Sequence, residues 1–157
     1  MLSISANEIN IQHMKNITLL FTFVAFSFAT HADSFAEQTC LYAKGKIKKL
    51  TALSPRPEKF QFCYFRDAGM ELQTFVNSQM NDFAGPEANK AYRQTLESDI
   101  LACSRFGGES VVVKDDLDLR SVICLFRDKS AITESTLKNG VHSTWNKDFN
   151  RALGIIY

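Results

Sequence analysis

The sequence has almost no surplus of positive or negative charge. Its 157 residues include 18 Lys and Arg against 17 Asp and Glu, a formal net charge of +1. A protein that binds nucleic acid generally needs a basic surplus to neutralise phosphates, so this balance argues against that class. Apolar and charged contents of 45% and 22% are ordinary for a globular protein. We therefore expect no nucleic-acid partner.

The sequence also lacks an apolar run of the length that crosses a membrane. Residues 17–29 are apolar but fall short of the about 20 residues that a spanning helix needs. They follow the short positive segment Met14-Lys15-Asn16 and precede Thr30-His31-Ala32, which offers small residues to signal peptidase. We predict that residues 1–32 are a signal peptide, with Met14 as the expected start and no stable membrane insertion after cleavage. A retained N-terminal anchor is the alternative.

No cysteine pair in the chain has the C-x-x-C spacing of redox or structural zinc sites. The segment Glu37-Gln38-Thr39-Cys40 also lacks the small residues of a lipoprotein signal, which favours a soluble periplasmic or secreted product. An even number of cysteines in a small exported chain indicates disulfides. The four cysteines are Cys40, Cys63, Cys103 and Cys124.

Two stretches of the chain repeat one pattern. Cys63-Tyr-Phe-Arg-Asp67 is matched by Cys124-Leu-Phe-Arg-Asp128, and each is preceded by a cysteine and a glycine. These are Cys40 and Gly45 in the first stretch, and Cys103 and Gly108 in the second. We interpret the pattern as an internal duplication. Since each repeat must once have been stable with its own pair, we favour Cys40–Cys63 and Cys103–Cys124, each contributing on the order of 3 kcal/mol; pairing across the repeats is the alternative.

Each repeat has the pattern of a helix followed by two strands. In the first, a short helix carries Cys40 and ends at Gly45, and residues 46–53 and 59–65 have strand patterns. In the second, a helix ends at Gly107-Gly108 and residues 110–114 and 119–126 have strand patterns. The helical stripe of the second repeat comprises Tyr92, Leu96, Ile100 and Cys103.

A return element follows each pair of strands. The apolar stripe from Leu72 to Phe83 predicts a helix, with a strand through residues 70–72 as the alternative. Residues 131–137 fit a strand or a helix. After the turn at Asn139-Gly140, Ser143 is expected to cap a C-terminal helix.

The predicted fold is α+β. Two tandem helix–strand–strand repeats form an antiparallel sheet with helices packed on one face, stapled by the disulfides. The first repeat is expected to span residues 33–84. The second, with the C-terminal helix, spans residues 85–157. The strand order stays open.

The second repeat resembles a small exported bacterial domain labelled as a haemolysin, whose function is unknown. Its pattern is a cysteine near a helix end, a Gly-Gly, a strand, and a second strand that ends in Cys-x-Phe-x-Asp. The matching residues are Cys103, Gly107, Gly108, Cys124, Phe126 and Asp128. The first repeat matches at Cys40, Gly45, Cys63, Phe65 and Asp67. The resemblance implies an exported factor that acts on membranes or host cells.

The candidate reactive residues have structural explanations. His142 lies beside Ser143, but a catalytic triad needs convergence in space, and Ser143 fits a helix cap better. The run Asp115, Asp116 and Asp118 lacks the glycine and the alternating ligands of an EF-hand loop, and fits a solvated hairpin tip. We therefore predict no catalytic residue, no cofactor and no metal site.

Two polar features have a binding interpretation. Lys44, Lys46, Lys48 and Lys49 form a basic cluster that suits lipid headgroups or an acidic partner, although such a run is more often a solvated edge strand protected from aggregation. The Arg-Asp pair at residues 66–67 recurs at residues 127–128, and we interpret both as turns.

We expect a non-catalytic binding or inhibitor-like module of the cell envelope or secretome with an unknown protein partner. The alternative is a secreted, haemolysin-like factor that acts on membranes or host cells. The stripe from Met70 to Phe83 is the candidate for membrane contact, and its pattern fits a core helix better. An enzyme is the least favoured class.

Overall fold

A computed structural model describes residues 35–54, 57–80, 85–95 and 103–156. The predicted signal peptide lies outside these ranges, as do the stripe residues Phe83, Leu96 and Ile100. In the first half, helix α1 covers residues 35–42, followed by β1 (Lys46–Ala52), β2 (Lys59–Phe65), β3 (Ala68–Glu71), α2 (Leu72–Met80) and α3 (Glu87–Arg93). In the second half, a 3-10 helix (Cys103–Phe106) precedes β4 (Glu109–Lys114), β5 (Arg120–Leu125), β6 (Ala131–Thr133), α4 (Glu134–Asn139), a 3-10 helix (Thr144–Asn146) and α5 (Lys147–Ala152).

The six strands form a closed antiparallel barrel in the order β1-β2-β3-β6-β5-β4. The α+β class, the antiparallel sheet and the disulfides are confirmed, but the sheet closes into a barrel, which was not predicted. Strands β3 and β6 close one seam through the pair Met70 and Ile132. Strands β1 and β4 close the other where Thr51 and Ala52 pair with residues 114 and 113. The N-terminal part of β1 lies away from this seam, so the barrel is splayed open there.

A strand is present near residues 70–72, where it was expected only as the alternative to a helix: β3 covers Ala68–Glu71. Only Arg66 and Asp67 lie between β2 and β3, and Gly69 pairs with Tyr64 across the hairpin. A Cβ on Gly69 would lie 2.9 Å from the Tyr64 ring. The glycine therefore lets the aromatic ring lie flat against the adjacent strand at this end of the barrel.

Two apolar cores lie on the two sides of the barrel wall, because side chains alternate across a pleated sheet. The interior core consists of Leu50, Ala52, Phe60, Phe62, Tyr64, Val113, Ile123 and Ala131. The larger core lies between the outer wall and the helices. Its aromatic centre joins Phe65 to Phe75 and Phe149, with ring centroids 5.5 and 5.8 Å apart, and Phe149 to Tyr92 at 5.1 Å.

Both disulfides attach a helix to the outer wall of the barrel. Cys40 bonds to Cys63 in β2, and Cys103 bonds to Cys124 in β5, with Cα atoms 5.7 and 5.3 Å apart. All four residues are fully buried. The favoured pairing is therefore confirmed.

Gly45 does not end α1 in the expected way. Lys44 takes the left-handed conformation there, with φ of 66°. A Cβ on Gly45 would lie 2.5 Å from the Cys63 Sγ and 2.8 Å from the Cys40 Sγ. Glycine is needed at position 45 because the disulfide packs directly on its Cα.

The remaining helices follow their sequence signals only in part. The predicted stripe from Tyr92 to Cys103 does not form one helix, because α3 ends at Arg93 and Cys103 begins a separate 3-10 helix. Helix α2 confirms the predicted helix over its described part and buries Leu72, Phe75 and Val76 of the stripe, whereas Met80 is exposed. The ambiguous segment 131–137 divides into β6 and α4, and Thr133 caps α4 by accepting a hydrogen bond from the Thr136 N–H. Within the described ranges, no helix is both long and apolar enough to cross a membrane.

Candidate functional site

A groove of about 750 Å³ opens at the end of the barrel where β1 begins and β2 ends. We call it the basic groove. Its charged lining residues are Lys44, Lys46, Lys48, Arg66, Arg151 and Asp148. Five positive charges against one negative charge leave a local excess of four, on a chain whose net charge is +1.

Strand register brings two of the lysines to the groove. Lys46 and Lys48 lie opposite Tyr64 and Phe62, so they share the face of β1 that continues into the barrel interior. The barrel is splayed at this end, and both side chains are exposed. Lys44, which has a left-handed backbone conformation just after α1, also lines the groove.

Two arginines meet at a single carboxylate on the other side of the groove. Asp148 of α5 places Oδ2 3.5 Å from the Arg66 Nε and Oδ1 3.5 Å from the Arg151 Nη1. The arginine side chains are 71% and 73% exposed. Arg66 lies in the β2–β3 turn with φ of 57°, a left-handed conformation that costs a non-glycine residue about 1–2 kcal/mol. Exposed ion pairs of this kind contribute little to stability.

Aromatic side chains supply the apolar part of the groove. Tyr64 is buried, and the Lys48 Nζ lies 4.7 Å from its ring centroid, within the range of a cation–π contact. Burial raises the pKa of Tyr64 to about 12, although a hydrogen bond with Ser121 lowers it. Tyr42 lies at the edge of the groove and is 94% exposed. A second pocket of about 490 Å³ adjoins the groove and shares Lys48, Tyr64 and Arg66 with it.

The charge of the groove suits it to binding an anion. Among the described residues that line it, none is a histidine, cysteine or serine. Asp148 is engaged by two arginines, and the raised pKa of Tyr64 keeps its phenol protonated.

The predicted basic cluster is divided by the pleat of β1. Lys49 pairs in register with Gln61 on the outer wall and does not line the groove. The groove instead gains Arg66 and Arg151, which sequence reasoning missed as partners of the lysines. Their recruitment depends on α5 packing beside the β2–β3 turn, which local sequence patterns do not reveal.

The other candidate residues lie elsewhere. The Ser143 hydroxyl accepts a hydrogen bond from the Trp145 N–H and so caps the 3-10 helix Thr144–Asn146; the predicted cap of the C-terminal helix is wrong, because α5 begins after it at Lys147. His142 is exposed beside it. At the β4–β5 hairpin, Asp115 accepts hydrogen bonds from two backbone N–H groups, and Asp118 pairs with Lys114 at 2.7 Å. The described part of the chain contains no group of three or more His, Cys, Asp or Glu side chains placed to hold a metal.

The two Arg-Asp turns have different roles. Asp128 accepts hydrogen bonds from the Glu87 N–H at 2.8 Å and the Ser130 N–H at 2.9 Å, so it supports its turn and holds the first residue of α3. In the other turn it is Arg66 that makes the side-chain contact, to Asp148. The turn interpretation is confirmed for both, and the first turn also contributes to the groove.

No family model, curated protein or solved structure matches the chain. The basic groove is the candidate site on the strength of its charge, its exposed aromatic edge and its volume.

Proposed function

We propose that this protein is an exported, non-catalytic binding module and that its protein partner docks in the basic groove. The observation that carries the proposal is the local excess of four positive charges in one cavity of a nearly neutral chain. Such a field attracts an oppositely charged surface and orients it during encounter. The paired disulfides provide the rigid frame that an exported binding surface needs.

A comparison of the two halves supports this assignment, and we propose that the halves are tandem copies. In the first, Cys63 pairs with Met70 across the β2–β3 hairpin; in the second, Cys124 pairs with Ile132 across β5–β6. Met70 and Ile132 then pair with each other. Equivalent residues that meet in this way mark an approximate two-fold axis between the copies.

Hydrogen bonds cross this axis in both directions. The Gly69 N–H donates to the Thr136 Oγ1 at 2.9 Å, and the Ala131 N–H donates to the Thr74 Oγ1 at 3.3 Å. Gly69 and Ala131 occupy the same place in their hairpins, and each threonine lies in the first turn of the following helix. Reciprocal contacts between equivalent residues are the mark of a self-complementary interface.

The proposed copies extend into the helices that follow. Residues 87–91 of α3 read Glu-Ala-Asn-Lys-Ala, and residues 148–152 of α5 read Asp-Phe-Asn-Arg-Ala. Helix α5 borders the groove beside Arg66, and α3 borders a smaller pocket of about 410 Å³ beside Arg127. On this alignment α3 belongs to the first copy, so the boundary between copies moves from residue 84 to the segment between residues 95 and 103.

The groove lysines are not repeated in the second copy. The positions equivalent to Lys44, Lys46 and Lys48 in the second copy are Gly107, Glu109 and Val111. Other features are shared by both copies. Each has a disulfide, a glycine (Gly45 or Gly108) that packs against a phenylalanine, and a threonine (Thr74 or Thr136) in the helix after the hairpin. Since the second copy folds without the lysines, the architecture does not require them. A binding role accounts for their concentration in one copy.

The test is capture of a partner with a charge-reversed groove. The bait protein is immobilised as wild type, as Lys44→Glu/Lys48→Glu, and as Lys49→Glu/Lys59→Glu, and envelope and culture-supernatant extracts are passed over each. The last variant changes the net charge equally, at exposed lysines on the outer wall. We expect a protein captured by the wild type and the outer-wall variant and lost by the groove variant. Equal capture by all three baits would refute the groove as the docking site.

The same preparations address the haemolysin-like alternative. Each is incubated at low salt with vesicles of neutral and of anionic phospholipid, and sedimentation and dye leakage are measured. We expect neither. Leakage caused by the wild-type protein would replace the binding-module proposal with a membrane-acting one.

A further inference from the structure

The basic groove also indicates the chemistry of its ligand, an inference that rests on the proposed function. We infer that the groove binds an acidic peptide segment and that Asp148 occupies the position of one peptide carboxylate in the free protein. Asp148 therefore acts as a competitor built into the fold, which the ligand displaces.

The contacts of Asp148 show that a carboxylate fits between the arginines without saturating them. Each of its oxygens is 3.5 Å from one guanidinium nitrogen of Arg66 or Arg151. Strong arginine–carboxylate pairs are bidentate, with separations of about 2.8 Å. Both guanidinium groups are largely exposed and keep donors for a better-placed carboxylate. A ligand carboxylate can therefore replace the loose internal contact with a closer one.

The lysines set the spacing of further acidic side chains. Lys46 and Lys48 are alternate residues of one strand, which places their Cα atoms about 7 Å apart. Alternate side chains of an extended peptide have the same spacing. Within the described chain, neither Lys44 nor Lys46 forms an ion pair. An extended segment with acidic residues at every second position matches these cations.

The edge of the groove suits a peptide. Tyr42 is 94% exposed there, and tyrosine is among the residues that most often anchor protein interfaces. The adjoining pocket is nearly balanced in charge, with Lys48, Arg66, Arg120 and Lys138 against Asp67, Asp115 and Glu134. The strong positive excess therefore lies in the basic groove itself, and a short acidic segment is enough to meet it.

The experiment measures binding of a fluorescent peptide that alternates Glu and Ser, with an alternating Gln and Ser peptide as the uncharged control. The wild type should bind the Glu peptide in a salt-sensitive manner and ignore the Gln peptide. Asp148→Asn should bind about two- to fivefold more tightly, since it removes a competing exposed ion pair. Arg151→Gln should bind more weakly by a similar factor, and Lys49→Gln/Lys59→Gln should match the wild type.

The Asp148 and Arg151 variants break the same ion pair. A purely structural role would shift their affinities in the same direction, whereas competition shifts them in opposite directions. Weaker or unchanged binding by Asp148→Asn would overturn the competitor role. Tighter binding of a sulfated glycan or of anionic vesicles than of the Glu peptide would overturn the peptide class.

Failure of this inference is distinguishable from failure of the proposed function. If no variant binds the Glu peptide while the groove variant Lys44→Glu/Lys48→Glu still loses the captured partner, the ligand chemistry is wrong and the docking site stands. If the partner is captured equally by every bait, the proposed function itself fails.

Discussion

Tyr64 links the barrel interior to the basic groove. Its ring packs against Gly69 and lies beneath the Lys48 ammonium group. Burial raises its pKa to about 12 from an ordinary value of 10.0; the hydrogen bond with Ser121 lowers it, and the nearby charge of Asp115 raises it. The folded protein therefore holds the phenol proton at pH values where the unfolded chain has released it.

This difference predicts a loss of stability in alkali. Since the folded pKa lies above the unfolded one, the contribution of Tyr64 is fully present below pH 10 and declines as the pH rises towards about 12. We expect the wild type to lose roughly 2–3 kcal/mol more than Tyr64→Phe over that interval. Urea unfolding of both proteins at neutral pH and between pH 10 and 12 measures the difference. Parallel pH profiles would contradict the buried, neutral phenol.

Asp128 provides a second prediction from one side chain. Burial opposes its ionisation, but hydrogen bonds from the Ser130 side chain and from the backbone N–H groups of Glu87 and Ser130 outweigh that effect and hold the pKa below its usual value. Asp128→Ala should destabilise the protein by about 1–2 kcal/mol, as for a lost helix cap. Chemical denaturation at neutral pH measures the loss.

Asp67 is the matched control because it occupies the equivalent turn and is exposed. Asp67→Ala should stay within about 0.5 kcal/mol of the wild type. The folded pKa of Asp128 is depressed, so its contribution is present above the ordinary carboxyl range and is lost as the pH falls through the folded value. The difference in unfolding free energy between the two variants should therefore shrink in acid. A difference that grows there would contradict the role of the Asp128 carboxylate.

At the scale of elements, the link from α1 to β1 depends on the absence of a side chain at Gly45. The Cβ of Gly45→Ala would meet both sulfurs of the Cys40–Cys63 bond, whereas one on Gly107 would meet nothing within 4 Å. We expect Gly45→Ala to cost about 1–3 kcal/mol through overpacking and to make this bond easier to reduce. Gly107→Ala should leave both disulfides as resistant as in the wild type, despite the strain of its φ of 78°. Unfolding curves and titration with a thiol reductant test both effects; equal sensitivity in the two variants would contradict them.

The strands that the sequence reveals are the longer ones. In β2, Phe60, Phe62 and Tyr64 alternate along the strand, and its predicted limits are those observed. Strand β3 begins with Ala68, Gly69 and Met70, all buried, and β6 is buried throughout. Helices cover one side of these two strands and the barrel interior lies on the other, so apolar and polar residues do not alternate along them. Closure of the sheet depends on these two short strands and could not be predicted from period alone.

The candidate site was predictable only in part for a related reason. The lysines are neighbours in sequence, and the pleat separates Lys48 from Lys49 once the strand is recognised. Arg66, Asp148 and Arg151 come together through tertiary packing of α5 against a turn more than eighty residues earlier. The similarity of residues 87–91 to residues 148–152 was a signal in the sequence that could have pointed to this helix.

At the scale of the whole molecule, the two halves are interlocked. Helix α5 follows the second set of strands and borders the groove of the first, whereas α3 follows the first set and is held by Asp128 of the second. Both seams of the barrel join strands from different halves. Neither half can complete its core alone, and residues Ala36–Tyr157 form one compact unit. The interlocked halves therefore predict a single cooperative unfolding transition.

Removal of one disulfide tests that cooperativity. The variant Cys40→Ala/Cys63→Ala opens a bond with a sequence separation of 23 residues in the first half and should cost about 3 kcal/mol. The single tryptophan, Trp145, lies in the second half and is 61% exposed, so its fluorescence reports on the half that keeps its bond. We expect the Trp145 transition and the hydrogen exchange of the β1–β3 amides to shift together, because the seams couple the halves.

The mirror variant Cys103→Ala/Cys124→Ala should likewise accelerate exchange in β1–β3. A Trp145 transition that stays at the wild-type midpoint while the β1–β3 amides exchange faster would show that the halves unfold independently.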